Sequence, residues 1–381
     1  MELSNVDHFL LFGILFCIFG YFALIPQSKI NKHYWAYAIF PIIAYSLIVG
    51  MRYGWGNDYL FYKWRYEKPF AYGKEDYGFG TLNVILNSLG FDFVGGFITY
   101  SLVFVVAAYL LMSSFKENKY MIAFLVPCTI MQTTFTIRQS VAEAFILISL
   151  YFFHNKKYMW FVLFVLVASS MHKASLFMLI LIIPMYFFIK KPLSLKITIP
   201  FFIFAAVFEK PLEPYMVSFF DIVIPFLSFQ QGSYMDSYVL QADDWFGIDS
   251  FNEDFRAGLF TQIISSAMEA STIYVGSKAL QYKYNKFLNA IYNAVVVGLI
   301  LRRFFIVIEI PRRMVDPLYM LCFLIIGYAF FYGKNICKGK GQIWAYLSFL
   351  CIILFTLLHV GKFLVASPSY IFVWDWGKWY I

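Results

Sequence analysis

The stretch TFTIRQSVAEAFILISLYFFHNKKYMWFVLFVLVASSMHKASL, Thr134 to Leu176, decides the fold. It holds two apolar runs, Ser140–Phe153 and Tyr158–Ser170, joined by a basic turn at His154, Asn155, Lys156 and Lys157. At a rise of about 1.5 Å per residue, runs of this length read as the two limbs of a helical hairpin. Arg138 precedes the first run and His172 follows the second, so the hairpin returns both to the same end. Taken singly, Arg138 and Lys173 read as interfacial anchors whose charged heads reach water. As a pair, Arg138 and His172 can share a site.

The rest of the chain has the same apolar character. Of 381 residues, 61% are hydrophobic and only 14% charged, and the mean hydropathy is +0.69. That is too apolar for a water-soluble domain. Apolar runs of roughly 20 residues, the length that crosses a bilayer, recur from end to end without a long polar block. The expectation is an all-α polytopic membrane protein, a single integral membrane domain over residues 1–381 with about twelve spans. They fall near 8–26, 34–51, 93–112, 120–137, 139–153, 158–170, 174–190, 196–208, 257–276, 287–308, 315–333 and 343–361. The first run has no basic stretch before it and no Ala-x-Ala-like site after it, as expected of a retained span. The +8 net charge is spread over many short loops, so membrane topology rather than nucleic acid accounts for it. Cys17, Cys128, Cys322, Cys337 and Cys351 form no CxxC pair, and neither zinc nor a disulfide framework is indicated.

Cytoplasmic loops collect Lys and Arg. Alternate loops do so here: Lys29 and Lys32; Lys116 and Lys119; Lys156 and Lys157; Lys190, Lys191 and Lys196; Lys278, Lys283 and Lys286; Lys334, Lys338 and Lys340. The intervening loops are acidic, above all residues 51–92 and 208–256. Both termini are therefore expected outside, together with Arg52, Asp58, Arg138, His172, Arg303, Arg312 and Arg313. Cytoplasmic nucleotide sugars could not reach a site made of these residues. Its substrate would be presented at the outer leaflet, where the usual activated sugar is a polyprenyl diphosphate-linked oligosaccharide.

The chemistry these residues offer suits that task. The first outward loop, with MRYGWGNDYLFYKWRYEKPF and EDYGFGTLNVIL, combines aromatic faces that fit sugar rings with carboxylates that accept bonds from sugar hydroxyls. An interfacial aromatic belt is the alternative for Tyr62, Trp64 and Tyr66. Arg138 begins a span and needs an anion, either a diphosphate held by its planar fork or a carboxylate such as Glu143 or Asp58. Imidazole can act as a base near neutral pH, which makes His172 a candidate to deprotonate an acceptor hydroxyl, with Asp58 and Glu75 as rivals. Asp243 and Asp244 could suggest a divalent metal. No Asp-x-Asp triplet occurs, and a solvated or glycan-contacting loop is the simpler account. In LRRFFIVIEIPRRMVDPLYML, Arg302 fits headgroup anchoring, whereas Arg303, Arg312 and Arg313 call for an anionic partner.

Arg138-Gln139 leading into Ser140-Val141-Ala142, answered one hairpin later by His172-Lys173-Ala174-Ser175, resembles the EpsG-like oligosaccharide polymerases, the Wzy-type enzymes of bacterial surface polysaccharide assembly. The family's first-loop pattern is matched in order at Arg52, Gly56, Asp58, Tyr59, Tyr62, Glu75, Gly78 and Asn83. Arg313-Met314 stands where the family has an Arg and a hydrophobic residue, although Asp316-Pro317 occupies the place of the family's Tyr-Phe. The resemblance implies a metal-independent, cofactor-free glycosyltransferase of GT-C-like architecture in the bacterial cytoplasmic membrane. It would transfer the growing glycan from its polyprenyl diphosphate carrier onto an incoming lipid-linked repeat unit. It implies catalytic roles for His172, Asp58, Glu75 and Arg138, and substrate or diphosphate contacts for Arg52, Tyr59, Tyr62, Gln139, Lys173, Arg303, Arg312 and Arg313. Bilayer lipids and a chain-length regulator would be its further partners. The alternatives are an O-antigen ligase-type transferase and a non-enzymatic flippase of lipid-linked oligosaccharide. A transporter should show charges in mid-span and broken paired repeats, whereas the charges here gather at the outer ends.

Overall fold

A computed structural model describes residues 3–53, 59–70, 77–227, 259–305, 309–338, 341–365 and 371–372. These residues are helical apart from turns and one short strand pair. Arg52–Tyr53 (β1) runs antiparallel to Ile371–Phe372 (β2), with Arg52 opposite Phe372. The chain divides into two compact units, one of Met1–Leu176, Phe323–Phe331 and Thr356–Ile381, the other of Phe177–Cys322 and Tyr332–Phe355.

The first unit contains α1 (Leu3–Tyr21), α2 (Gln27–Lys32), α3 (Tyr34–Gly50), α4 (Tyr59–Glu67), α5 (Tyr77–Ser88), α6 (Phe93–Met112), α7 (Asn118–Phe135), α8 (Ile137–His154) and α9 (Tyr158–Met171). Helices α3 and α8 pack against α6, and α1 against α7. The hairpin is α8 and α9, zipped by Phe145 and Phe152, whose rings stack on Phe164 at 6.2 and 5.4 Å. Its turn closes as a Schellman motif. Lys157 N–H donates to the Phe152 carbonyl at 2.9 Å and Lys156 N–H to that of Phe153 at 3.0 Å, with Lys156 left-handed at φ 58°. A lysine in that conformation costs about 1 kcal/mol, offset in part by a cation at the negative end of the helix. Loops expected on one side of the membrane meet: Gln27 Nε2 donates to Asn118 Oδ1 at 2.8 Å and Asn155 Nδ2 to Ser114 Oγ at 3.5 Å.

The second unit is built on α10 (Phe177–Phe188), α11 (Leu195–Leu227), α12 (Leu259–Tyr282), α13 (Lys286–Phe304), α14 (Glu309–Met320) and the short α16 (Gly333–Ile336). Almost all of α15 (Cys322–Phe331) belongs to the first unit, and α17 (Gln342–Val365) contributes to both. Helix α13 is the axis, packed against α10, α11, α12 and α14. Asn285 starts it by accepting from the N–H groups of Phe287 and Leu288, both at 3.0 Å. The 189–193 loop is tied to the same end of α13, where Leu193 N–H donates to Asn293 Oδ1 at 2.9 Å.

Among the described residues, Phe93–Met112, Lys286–Phe304, Pro311–Phe331 and Gln342–Val365 are long and apolar enough to cross a membrane. Shorter apolar helices are Val6–Tyr21, Tyr34–Gly50, Tyr158–Met171 and Lys173–Phe188. Along α17, Ile343, Trp344, Leu347, Leu354, Leu357 and Leu358 are all exposed. A continuous apolar surface of that kind is stable in lipid and not in water; the chain is a membrane protein. Two stretches differ from expectation. The 51–92 loop contains α4 and α5, because Tyr59, Tyr62 and Tyr66 recur at helical spacing and bury together. Helix α11 runs on to Leu227, into the 208–256 loop, whose residues 228–256 lie outside the described residues.

Candidate active site

In the first unit, Ile137 and Met171 belong to one buried cluster with Tyr59, Tyr62, Phe79, Phe97 and Tyr100. Their immediate neighbours are Arg138 and His172. Each residue of that pair thus directly follows, in sequence, a member of this aromatic cluster.

Helices α4 and α5 supply much of the cluster. The Tyr59 ring lies 4.7 Å from that of Phe97, and Tyr62 lies 6.0 Å from Phe79. Both tyrosines are buried, so in this structure they hold α4 against the unit and do not offer open faces to a sugar. The Tyr66 hydroxyl donates to the Phe91 carbonyl at 2.8 Å; burial, reinforced by the negative charge of Asp92, pushes it up to about 12. Gly78 on α5 lies so close to Ser170 on α9 that a Cβ would collide with it. Asn83 accepts from the Tyr100 hydroxyl and donates to the Arg65 carbonyl at 3.4 Å. The close approach at Gly78 thus seats α5 beside the end of α9, while Asn83 ties it to α6 and α4.

Arg52 is buried on β1. Its Nη1 donates to the Val49 carbonyl and its Nη2 to the Thr134 carbonyl, at 3.0 Å for the latter. These carbonyls come from the last turns of α3 and α7, the negative ends of both helices. With Tyr100, Ser101, Thr133, Ile137 and Ser140, Arg52 lines a cleft of about 280 Å³ of empty space, its open mouth included.

Arg138 and Gln139 stand in the first turn of α8, the former partly and the latter fully buried. Thr136, at the N-cap, does not cap the helix; its Oγ1 donates backwards to the Gln132 carbonyl at 2.8 Å. The positive end of the α8 dipole therefore adjoins Arg138 without a side-chain cap from that residue. Two turns on, Glu143 is fully buried and accepts from Gln132 Nε2 at 2.5 Å. His172 ends α9, where its N–H donates to the Ala168 carbonyl at 3.0 Å. Its extended backbone leads into a 3-10 turn, Lys173–Leu176, packed on α8 and α9. His172 is partly buried and Lys173 exposed. Asp58, Glu75, Gly56, Asp243 and Asp244 lie outside the described residues.

The second unit holds a network of charges. Arg303 donates through Nε to Glu269 Oε2 at 2.8 Å and through Nη2 to Ser265 Oγ at 3.1 Å, and its Nη1 lies 3.7 Å from Glu209 Oε2. Arg302 donates through Nε to Asp316 Oδ1 at 2.8 Å and through Nη1 to Glu269 Oε1 at 3.2 Å. Arg312 Nε lies 3.9 Å from Asp316 Oδ2, and Arg313 is partly buried on the same helix. The anion that the sequence demands for these arginines is in large part supplied by the chain itself. Glu269 is absent from the residues that the sequence singles out. Its signal there is a lone acid in the run SSAMEASTIYVG, since a charge within an apolar helix calls for a partner. With Glu143 and Glu269 both buried inside helices, the charges do not gather only at the outer ends.

The profile of the EpsG family matches residues 34–372. No curated protein and no solved structure matches the chain.

Proposed function

The chain belongs to the EpsG family, whose general kind is the Wzy-type, glycosyltransferase-like polysaccharide polymerase, and on that premise we propose that it lengthens a bacterial surface polysaccharide at the outer leaflet. An acceptor hydroxyl of an incoming lipid-linked repeat unit attacks the anomeric carbon of the growing glycan. The bond from that carbon to the polyprenyl diphosphate breaks, the diphosphate leaves with the electron pair, and the hydroxyl proton passes to a base. The reading includes about twelve spans, a GT-C-like architecture and both termini outside.

One observation carries it: the start of α8, left open by its own N-cap residue, bears Arg138 at the end of the hairpin where His172 also lies. A diphosphate seated there would meet backbone N–H groups at the positive end of a helix dipole. It would also meet a guanidinium able to form two parallel hydrogen bonds. Both interactions strengthen as negative charge develops on the departing group. His172, Asp58 or Glu75 takes the acceptor proton, and Gln139, Lys173 and Arg52 complete a polar rim.

Deleting the gene and resolving the cell's glycans on a gel tests this reading. Loss of the ladder with a single repeat unit retained is the expected outcome. A full-length ladder would overturn it, and polymer that accumulates without reaching its final acceptor would point to a ligase.

A further inference from the structure

We propose that Arg302, Asp316 and Tyr319 form a subsite for the hydroxyl groups of a sugar, with Glu269 and Arg303 as the buried frame that positions Arg302. That the ligand is a sugar rests on the polymerase reading; the geometry stands apart from it.

Charge balance separates this site from a diphosphate site. Among the described residues, the ion pairs set Arg302, Arg303 and Arg312 against Glu209, Glu269 and Asp316, three cations to three carboxylates, with Arg313 beside Arg312 on the same helix. Arginines already paired to carboxylates in this way exert little net attraction on a polyanion. What the array offers is fixed donors beside fixed acceptors.

Exposure divides the array into frame and face. The side chains of Arg303 and Glu269 are each 2% exposed, whereas Arg302 is 28% and Asp316 30% exposed. Glu269 links the two layers, because Oε2 holds Arg303 while Oε1 holds Arg302. The Tyr319 ring lies 4.7 Å from the Arg302 guanidinium carbon and fixes its plane. With Nε on Asp316 and Nη1 on Glu269, Arg302 Nη2 makes no hydrogen bond among the described residues. Asp316 uses Oδ1 for Arg302, and among the described residues its Oδ2 faces the more distant Arg312 at 3.9 Å. A planar N–H donor beside a carboxylate acceptor matches neighbouring sugar hydroxyls, each of which can accept one bond and donate another.

The test uses the purified full-length protein in detergent and two probes. One is the repeat-unit oligosaccharide cleaved from the host's own polymer, free of lipid and phosphate; the other is inorganic diphosphate. Calorimetric titration of Arg302→Lys and Asp316→Asn should show oligosaccharide binding weakened about tenfold or more, with diphosphate binding unchanged. Glu269→Gln should weaken the oligosaccharide similarly, and Glu269→Asp should recover part of the loss, as a positioning role requires. Size-exclusion elution checks folding, and Tyr319→Leu replaces any variant that aggregates. Wild-type protein that does not bind the oligosaccharide, variants that bind it unchanged, or variants that lose diphosphate instead would each overturn the subsite. A deletion strain that still polymerises its glycan would sink the polymerase reading, and the binding assay would still decide the subsite.

Discussion

Arg303 on α13 and Glu269 on α12 approach to 2.7 Å, with both side chains closed to solvent, and so bolt two helices together by charge inside an apolar unit. Replacing Glu269 by Gln leaves Arg303, among the described residues, with Glu209 at 3.7 Å as a charged partner. Breaking a buried pair from one side costs about 3–5 kcal/mol. Thermal scans in detergent should show a large fall in Tm for Glu269→Gln, mostly recovered in the double variant Glu269→Gln with Arg303→Met. Equal losses in single and double variants would mean that the pair contributes packing rather than charge.

Arg138→Lys keeps the charge and removes the planar fork. If Arg138 grips a diphosphate, the variant should reach the membrane in normal amount yet lose most polymerisation, read as a collapsed ladder beside an unchanged immunoblot. A ladder of normal length would reduce Arg138 to an interfacial anchor.

Gly78→Ala should disturb the site without touching its chemistry, because the new methyl runs into Ser170. Overpacking typically costs about 1–3 kcal/mol. A lowered Tm together with reduced polymer length is expected, and adding Ser170→Gly should recover only part of both, because the Ser170 backbone stays within 2.8 Å of the new methyl. Gly78→Ala protein that matches wild type in both measurements would show that α5 can shift freely.

The loops that meet near Asn155 and Ser114 should face the cytoplasm, and Lys173 the outside. In a chain whose five cysteines have been replaced, a membrane-impermeant maleimide should label Lys173→Cys in intact cells and Asn155→Cys only after lysis. The reverse pattern would invert the topology.

With no Asp-x-Asp triplet in the chain, polymerisation should survive excess EDTA. Purified protein given lipid-linked repeat units provides the assay. Activity lost on chelation and restored by magnesium or manganese would return Asp243 and Asp244 to the centre of the mechanism.

Helix ends are legible where an apolar run stops at a polar residue. Residues 34–51 and 93–112 emerge as Tyr34–Gly50 and Phe93–Met112. The hairpin is legible too, since its turn is four polar residues between two runs. Helices α4 and α5 are not, because tyrosines at the membrane surface read equally well as an interfacial belt and as a packed face. The partners of the arginines are hidden for a different reason. Arg302 and Arg303 are adjacent, and neighbours on a helix point about 100° apart. Nothing in the local pattern says which of them turns inward to a glutamate more than thirty residues away.

The pairing of β1 with β2 carries a consequence for biogenesis. Arg52 is laid opposite Phe372, a residue made roughly 320 positions later. At about 5–20 residues per second, the ribosome needs tens of seconds to travel that distance. Throughout that interval the strand that carries Arg52 lacks its neighbour, while the helices between them are made one after another. A nascent chain held partway through synthesis therefore contains the hairpin, the start of α8 and the residues that line the Arg52 cleft, but not the strand that pairs with Arg52.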